Sequence, residues 1–324
     1  MSDIFKYEKM RFIHKVIYYT NRQSVRLIKR LIGLPINVTL SCYNIHRLWS
    51  YKWQHFFYHK KYGTEDLMQK LKELGMQEGS CVFIQSSWDS FFNYEGNIKE
   101  LIEGILNVIG PTGTLAMPAF PYYNDRPLDL KKSISGAGLI AEMFRRRKGV
   151  KRSINVQHSV CALGPLSDYL ISEHHLCETC WDEKSPYYKL CNVDAIIFCI
   201  GIGYSFMTTS CHCVESINRG KVPYYTDFFS KEKTTHYYID YDGIQKEYSC
   251  YDLTPRGRSF MIWPKKWFLR RYLTSDDYKS SRISNLTIMA YYAKNYIPHL
   301  INLGKQGIDV YRFPSKKGYK FEKR

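Results

Sequence analysis

Three polar residues at a spacing of three, Thr209, His212 and Glu215, form the group in this sequence best suited to acid–base chemistry. They follow an apolar run, residues 195–200, which predicts a buried strand. If Thr209 caps a helix, His212 and Glu215 occupy neighbouring positions on one helix face. The partial positive charge of a helix N-terminus disfavours a charged imidazole, so His212 is predicted to be neutral and to suit a general base. The alternative is a capped helix whose histidine only packs in the core.

Cysteine and histidine residues offer two alternatives to general-base chemistry. A cysteine beside His212 could act as a nucleophile through a thioester, but adjacent helix residues do not face each other. Zinc is the second alternative, but part of the available ligand set lacks zinc-finger spacing. Scattered reduced thiols are therefore favoured and no metal is predicted. The zinc candidates are His174, His175, Cys177, Cys180, Cys211 and Cys213.

Alternating helix and strand signals predict an α/β fold with a mostly parallel central sheet flanked by helices. Residues 64–74 have the spacing of a capped amphipathic helix, and residues 80–84 form a short buried strand. Residues 97–109 repeat the helical spacing before a second strand at 114–117. Strand–helix–strand with a right-handed crossover is the unit from which parallel sheets are built.

The C-terminal third gives weaker signals. Residues 235–240 and 244–251 alternate around Asp242-Gly243, which predicts a β-hairpin. Residues 285–303 are apolar enough to predict a late helix, interrupted at Pro298. The predicted architecture therefore adds a hairpin region to the central sheet.

Basic residues are concentrated at the two ends of the chain. The net charge is +17 over 324 residues, of which residues 1–62 carry +10 and residues 305–324 carry +5. The domain between them, residues 63–304, is close to neutral. Residues 1–62 combine helical apolar spacing with many aromatic side chains, so they are predicted to be a basic helical extension. Residues 305–324 are predicted to be a basic tail.

These charges bear on partners and on location. The near-neutral middle shows no helix-turn-helix, zinc-finger or RNP pattern, so no nucleic-acid partner is predicted. The extension could pack on its own domain, on another subunit of a homo-oligomer, or on an anionic membrane surface. Residues 1–10 have no apolar signal core, and no apolar run approaches the roughly 20 residues that span a bilayer. We expect a cytoplasmic protein with reduced thiols, in contact with the inner membrane face if the extension binds lipid.

Five stretches, in this order along the chain, resemble the aminoglycoside 3-N-acetyltransferase family of acyl-CoA-dependent N-acyltransferases. Each stretch alone is a weak signal, whereas five in the right order are specific. Together they cover about residues 65–220, and the C-terminal third matches only loosely. The stretches are Gly113–Phe120, Glu142–Arg145 with Gly149 and Arg152-Ser153, His158–Gly164, Ser185-Pro186, and Thr209–Glu215.

The resemblance implies transfer of an acyl group from acyl-CoA to the amine of an amino sugar, without a covalent enzyme intermediate. In this scheme His212 removes a proton from the attacking amine. Glu215, or another carboxylate such as Glu142, orients the imidazole. Thr209 caps and positions the helix.

The resemblance also implies which residues bind acyl-CoA, the co-substrate. Ser86 and Ser87 lie at the carboxyl end of the first strand, where an α/β sheet binds ligands. Arg152 supplies charge for a CoA phosphate, and Ser153 and Ser159 could bond pantetheine amides or the thioester oxygen. The residues assigned to this role are Ser86, Ser87, Phe120, Arg152, Ser153 and Ser159.

Two departures from the family pattern bear on the acceptor. Gln85 and Asn155-Val156 stand where the family usually has histidine and His-Pro. Both positions are expected near CoA and the acceptor, which predicts an acceptor other than an aminoglycoside. A basic protein attracts polyanions, so the main prediction is a nucleotide-linked amino sugar of surface-polysaccharide biosynthesis. The alternatives are aminoglycoside 3-N-acetylation and a non-catalytic protein that docks on membrane or nucleic acid.

Overall fold

Apolar runs of the sequence form the strands at the centre of a seven-stranded sheet. The computed structural model describes residues 54–122, 126–202, 208–254, 271–310 and 316–323. Strands β1 (Cys81–Ser86), β2 (Thr114–Pro118) and β6 (Ile196–Ile200) are buried along nearly their whole length. β1 pairs with β2 on one side and β6 on the other, parallel to both. Continuous apolar sequence is typical of such doubly covered parallel strands.

Antiparallel strands extend this parallel centre at both edges. The sheet order is β4-β5-β2-β1-β6-β10-β9. The predicted α/β class is therefore confirmed, with the parallel strands at the centre. The outer strands are β4 (Lys151–Arg152), β5 (Val160–Leu163), β9 (Tyr278–Ile283) and β10 (Leu286–Tyr292).

Helices cover both faces of the sheet. The helix predicted before β1 and the helix predicted between β1 and β2 are both confirmed. The second begins after Asn97, whose side chain accepts a hydrogen bond from the Glu100 N–H at 3.0 Å. This cap satisfies a backbone donor that the helix itself cannot pair. The helices are α1 (Thr64–Glu73), α2 (Ile98–Ile109), α3 (Leu139–Arg145), α4 (Ser167–Ile171), α5 (Pro186–Asn192), α6 (Cys213–Asn218), α7 (Pro223–Thr226) and α8 (Ala293–Lys305).

The predicted late helix over residues 285–303 is wrong in its first half. Residues 286–292 form β10, which pairs with β6 and is buried at six of its seven positions. The helix itself is α8, and it contains Pro298 without ending there. A short, continuous apolar run has no periodicity to separate a buried strand from a buried helix.

The predicted hairpin is confirmed and belongs to a second, three-stranded sheet. β7 (Thr234–Ile239) and β8 (Gln245–Cys250) are antiparallel, with His236 opposite Tyr248. β3 (Leu128–Asp129) adds to β7 in parallel. The turn contains Gly243 at a φ of 82°, a conformation that favours glycine.

The chain divides into two compact units, residues 1–61 and 62–324. Most of the predicted basic extension, residues 1–53, lies outside the described residues, so its helical character stays a prediction. Within the predicted tail, the rings of Tyr319 and Phe321 pack against Tyr224. Across the described ranges, no helix is both long and apolar enough to cross a membrane.

Candidate active site

The N-cap of the turn that carries His212 is Thr208, one residue before the predicted cap Thr209. A 3-10 turn, Thr209–His212, leads directly into α6, and Thr208 stands at its N-cap position without a side-chain bond. The Thr209 hydroxyl instead accepts a hydrogen bond from the Gln85 amide at 2.6 Å, and Gln85 accepts one from the Thr209 N–H at 3.0 Å. The predicted capping role of Thr209 is therefore wrong. Thr209 ties the histidine turn to the end of β1.

His212 and Glu215 form a buried pair on the first turn of α6. The imidazole Nδ1 hydrogen-bonds the Glu215 carboxylate oxygen Oε1, and Glu215 is 1% exposed. A carboxylate can only accept, so the shared proton belongs to Nδ1 and the basic nitrogen is Nε2. The carboxylate that orients His212 is thus Glu215. The spacing of three placed both groups correctly on one face.

An aromatic wall, which sequence spacing did not indicate, lies against His212. The indole of Trp181 stacks on the His212 ring at 4.5 Å between centroids and 25° between planes. His158 packs on Trp181 at 4.3 Å, and Phe120 lies 6.2 Å from His158. Trp181 and His158 are the residues that the sequence analysis missed as site residues. The only signal for His158 was its place in a stretch that resembles the family.

Three of the predicted acyl-CoA residues lie at the carboxyl ends of the parallel strands. Ser86 ends β1 opposite Ile200, the last residue of β6, and the Ser87 N–H donates to the Ile200 carbonyl at 3.1 Å. Ser86, Ser87 and Phe120 are each half-buried. This strand edge is where α/β sheets bind ligands.

The other three predicted acyl-CoA residues are buried in an internal network. Arg152 is 3% exposed, and its guanidinium donates to the carbonyls of Ser133 and Ala119 and to the Ser159 hydroxyl. The Ser159 hydroxyl in turn donates to the Ala119 carbonyl at 2.8 Å. Burial lowers the pKa of Arg152 to about 10. These contacts favour a positioning role over the predicted phosphate contact.

Ser153 belongs to the same interior. Its hydroxyl contacts His174 Nδ1 at 2.8 Å and accepts from the Val160 N–H at 2.8 Å. His174 Nε2 lies 3.0 Å from the Cys180 carbonyl, which can only accept, so Nε2 carries the proton and Ser153 donates to Nδ1. Burial lowers the pKa of His174 to about 3, so this ring is neutral. Ser153 is engaged here rather than presented to a ligand.

Glu142, the alternative partner of His212, forms ion pairs with Arg145 and Arg146 instead. Burial raises its pKa, but hydrogen bonds from Arg145, the Ser135 N–H and Arg146 outweigh burial and lower the pKa to about 2. The Arg145 Nε lies 2.8 Å from one carboxylate oxygen, and the Arg146 Nε lies 2.6 Å from the other. Glu142 therefore organises the end of α3.

The cysteines beside His212 are buried in the hydrophobic core. Cys211 is 2% exposed and Cys213 is fully buried. Burial raises the pKa of Cys213 well above its usual range, which keeps it a thiol and a poor nucleophile. The zinc alternative from the sequence is not supported either, because the ring nitrogens of His174 contact the Ser153 hydroxyl and the Cys180 carbonyl.

Both departures from the family pattern are accommodated inside the protein. Gln85 is 6% exposed and bonds Thr209. Asn155 is fully buried, and its side-chain oxygen accepts from the N–H groups of Gln157 and His158 at 3.0 and 2.7 Å. These side chains hold the site together, so they give no independent reason for an unusual acceptor.

Comparisons with known proteins agree with the fold and identify the family. A family model described as aminoglycoside 3-N-acetyltransferase matches residues 83–260, over half of the chain. Aminoglycoside N(3)-acetyltransferase IV of a Salmonella species is 30% identical over 161 residues, which cover 49% of this chain and 60% of that protein. The aminoglycoside N(3′)-acetyltransferase-like protein YokD of Bacillus subtilis is 25% identical over 187 residues, which cover 49% of this chain and 65% of its own. The chain thus spans about three fifths of the length of these curated relatives.

Solved structures show the same fold. AAC-IIIb, solved as a binary complex with CoASH, superposes with a TM-score of 0.64 at 16% identity, covering 79% of this chain and 100% of that chain. A mutant of aminoglycoside acetyltransferase AAC(3)-IVa, solved with gentamicin, gives a TM-score of 0.63 at 20% identity, covering 81% and 95%. At these identities the likeness establishes the fold.

Proposed function

The chain belongs to the aminoglycoside 3-N-acetyltransferase family, and from this premise we propose that it transfers an acyl group from acyl-CoA to an amine of an amino sugar. The observation that carries the proposal is the buried hydrogen bond between His212 Nδ1 and Glu215. A carboxylate on one ring nitrogen holds the tautomer whose other nitrogen accepts a proton. That is the group an amine nucleophile requires.

The chemistry is a direct displacement. The amine attacks the thioester carbonyl, the new C–N bond forms, and His212 Nε2 takes the proton that the nitrogen loses. The C–S bond then breaks, and the leaving CoA thiolate takes up that proton. Glu215 stabilises the imidazolium while it carries the proton. Burial of Cys213 as a thiol supports a route without an acyl-enzyme.

Acyl-CoA is assigned to the carboxyl ends of β1 and β2. Ser86 and Ser87 supply hydroxyl and backbone groups at this edge, and Phe120 supplies an apolar surface. Such groups can bond pantetheine amides and cover the thioester. Arg152, Ser153 and Ser159 are proposed to support the edge from behind, since their polar atoms are already engaged.

For the acceptor, the comparisons favour the alternative over the main sequence prediction. The two curated relatives are named an aminoglycoside N-acetyltransferase and an aminoglycoside N-acetyltransferase-like protein, and neither name refers to a nucleotide-linked sugar. The internal engagement of Gln85 and Asn155 removes one argument for a different substrate. We therefore propose an aminoglycoside amine as the acceptor. The charge argument concerns only the attraction of anionic ligands, and acyl-CoA already satisfies it.

A thiol-release assay with the full-length chain tests this proposal. Acetyl-CoA is offered with gentamicin, apramycin or sisomicin in one arm, and with a nucleotide-linked amino sugar in the other. We expect CoA release and an acetylated aminoglycoside, identified by its mass, only in the first arm. Turnover confined to the nucleotide-linked sugar would reinstate that acceptor.

The non-catalytic alternative has its own outcome. Calorimetric binding of acetyl-CoA without release of CoA in either arm would favour a protein that keeps the fold but not the reaction. His212→Ala in the same assay is the internal reference, because a background thiol release would persist in it.

A further inference from the structure

A compact group of metal-ligating side chains lies at the open end of the β7–β8 hairpin, outside the proposed catalytic pair. His236 is opposite Tyr248, so Cys250, two residues further along β8, shares a face with it. Asp252 follows directly. Ligand atoms of His236, Cys250 and Asp252 all lie within 4.8 Å of one another. His236 Nε2 is 2.9 Å from the Asp252 carboxylate, and the Cys250 sulfur is 3.9 Å from it.

A second segment brings a fourth donor to this group. This donor is the Cys180 thiol, which lies 3.8 Å from the Gln157 Oε1. The Tyr251 N–H donates to the Glu178 carbonyl at 2.8 Å, which joins the two backbones beside the thiols. Cys180 and Cys250 are each 1% exposed, whereas His236 and Asp252 are half-buried.

Gln157 links the same donors from a third segment. Its Nε2 donates to the Asp252 carboxylate, and its Oε1 contacts the Cys180 sulfur at 3.8 Å. Outer hydrogen bonds of this kind orient metal ligands in known sites. One sulfur, one imidazole and one carboxylate thus lie within 4.8 Å of one another, and Gln157 connects the Cys180 thiol to Asp252.

We propose that His236, Cys250, Cys180 and Asp252 bind a structural zinc ion. Zinc takes four ligands of this kind in tetrahedral geometry, whereas calcium and magnesium prefer oxygen ligands. Four protein ligands leave no open coordination position, which is the mark of a structural rather than a catalytic site. Binding displaces the thiol protons and the proton shared by His236 and Asp252. This proposal replaces the sequence-based expectation of no metal and of merely scattered thiols.

The metal would brace the aromatic wall of the active site. Cys180 immediately precedes Trp181, whose indole stacks on His212. Gln157 immediately precedes His158, which packs on the same indole. A fixed Cys180 backbone therefore fixes Trp181 against the imidazole. Metal binding itself does not depend on the acyl-transfer proposal, so the two can fail separately.

Metal analysis of the full-length chain, purified without chelator or polyhistidine tag, tests the zinc site. Inductively coupled plasma mass spectrometry should find about one zinc per chain. Cys250→Ser and Asp252→Asn should lose at least about tenfold in zinc affinity, as measured by competition with a chromogenic chelator. Cys191→Ser, which alters a half-buried cysteine outside the group, should keep the wild-type zinc content.

Cobalt provides a readout that needs no substitution. Replacement of zinc by Co²⁺ should give sulfur-to-cobalt charge-transfer absorption in the near ultraviolet and visible bands typical of tetrahedral coordination. Chelator treatment should lower the melting temperature of the wild type but not of Cys250→Ser. Zinc below about a tenth of an equivalent with no uptake on titration, a cobalt spectrum without thiolate bands, or full zinc content in Cys250→Ser would each overturn the proposal.

Discussion

Two buried histidines near Trp181 show how the same residue type serves two purposes in one molecule. His212 offers Nδ1 to the charged Glu215 carboxylate and keeps 8% of its surface exposed. His174 has both ring nitrogens on neutral partners, Ser153 and the Cys180 carbonyl, and is fully buried. A carboxylate stabilises a protonated ring, whereas burial among neutral groups opposes it. The difference predicts that His212 carries chemistry and His174 carries stability.

The largest expected effect is the loss of the base. His212→Ala should lower kcat by roughly 10²–10⁴-fold with little change in acetyl-CoA affinity, because the proton acceptor is removed and the CoA contacts remain. Thiol-release kinetics and calorimetry measure the two quantities. His174→Gln is the comparison variant, and its folded fraction should keep kcat within about threefold. An equal loss of kcat in both variants would erase the distinction between the histidines.

The orienting carboxylate should matter next. Glu215→Gln keeps the shape but removes the charge that holds the Nδ1 proton, so kcat should fall about 10²-fold. Glu142→Gln should leave kcat within about twofold, because Glu142 is paired with Arg145 and Arg146. The reverse ranking of these two variants would reassign the orienting role.

Substitution of Arg152 distinguishes a structural role of this side chain from a contact with acetyl-CoA. Arg152→Met removes three hydrogen bonds, to the Ser133 and Ala119 carbonyls and the Ser159 hydroxyl, so the free energy of unfolding should fall by about 3 kcal/mol. The KM for acetyl-CoA of the remaining folded enzyme should stay the same. Lys151→Met changes the exposed neighbour on the same strand and should affect neither quantity. An increase in KM without loss of stability in urea would restore the phosphate contact expected from sequence.

The smallest effect is a pH dependence carried by His174. Its pKa is about 6.5 when unfolded and about 3 when folded, because burial opposes the charged ring. The unfolded chain therefore binds the extra proton between these values, and stability falls as pH drops through that window. The slope should approach about 1.4 kcal/mol per pH unit at most. In urea unfolding between pH 7 and pH 5, stability should fall more steeply with decreasing pH in the wild type than in His174→Gln.

Other histidines also contribute between pH 7 and pH 5, because burial lowers the pKa of His175 and the hydrogen bond to Asp252 raises the pKa of His236 to about 9. The difference between the wild type and His174→Gln therefore isolates His174, and the pH range avoids the titration of Glu142. Glu142 has its folded pKa lowered to about 2 from 4.5, so its contribution to stability is lost only as pH falls below about 4.5. A wild-type slope that persists unchanged in His174→Gln would mean that other groups carry it.

Sequence reasoning was sufficient where local periodicity decides the structure. The parallel strands, α1, α2 and the β7–β8 hairpin all follow from apolar spacing and turn residues. The pairing of His212 with Glu215 also follows, since it depends only on a helical spacing of three. β10 was mistaken for helix because its buried run carries no period.

Long-range contacts could not be derived in the same way. Trp181 lies 31 positions before His212, and nothing in the spacing indicates that the two rings stack. The polar atoms of Arg152 and Ser159 are satisfied by carbonyls that only the folded sheet brings close. Chemical type alone therefore suggested ligand binding for residues that the structure uses internally. For the same reason, the spacing of His236, Cys250 and Asp252 along the chain did not indicate that their ligand atoms lie within 4.8 Å of one another.

Direct transfer with His212 as the base is the central claim, and rapid-quench kinetics with intact-protein mass spectrometry tests it most directly. Excess wild-type enzyme is mixed with acetyl-CoA, with and without gentamicin, and free CoA and enzyme mass are followed within the first turnover. CoA should appear only when the amine is present, in step with acetylated gentamicin, and the enzyme mass should not change. A burst of CoA without amine, together with an acetyl group on Cys211 or Cys213, would contradict direct transfer.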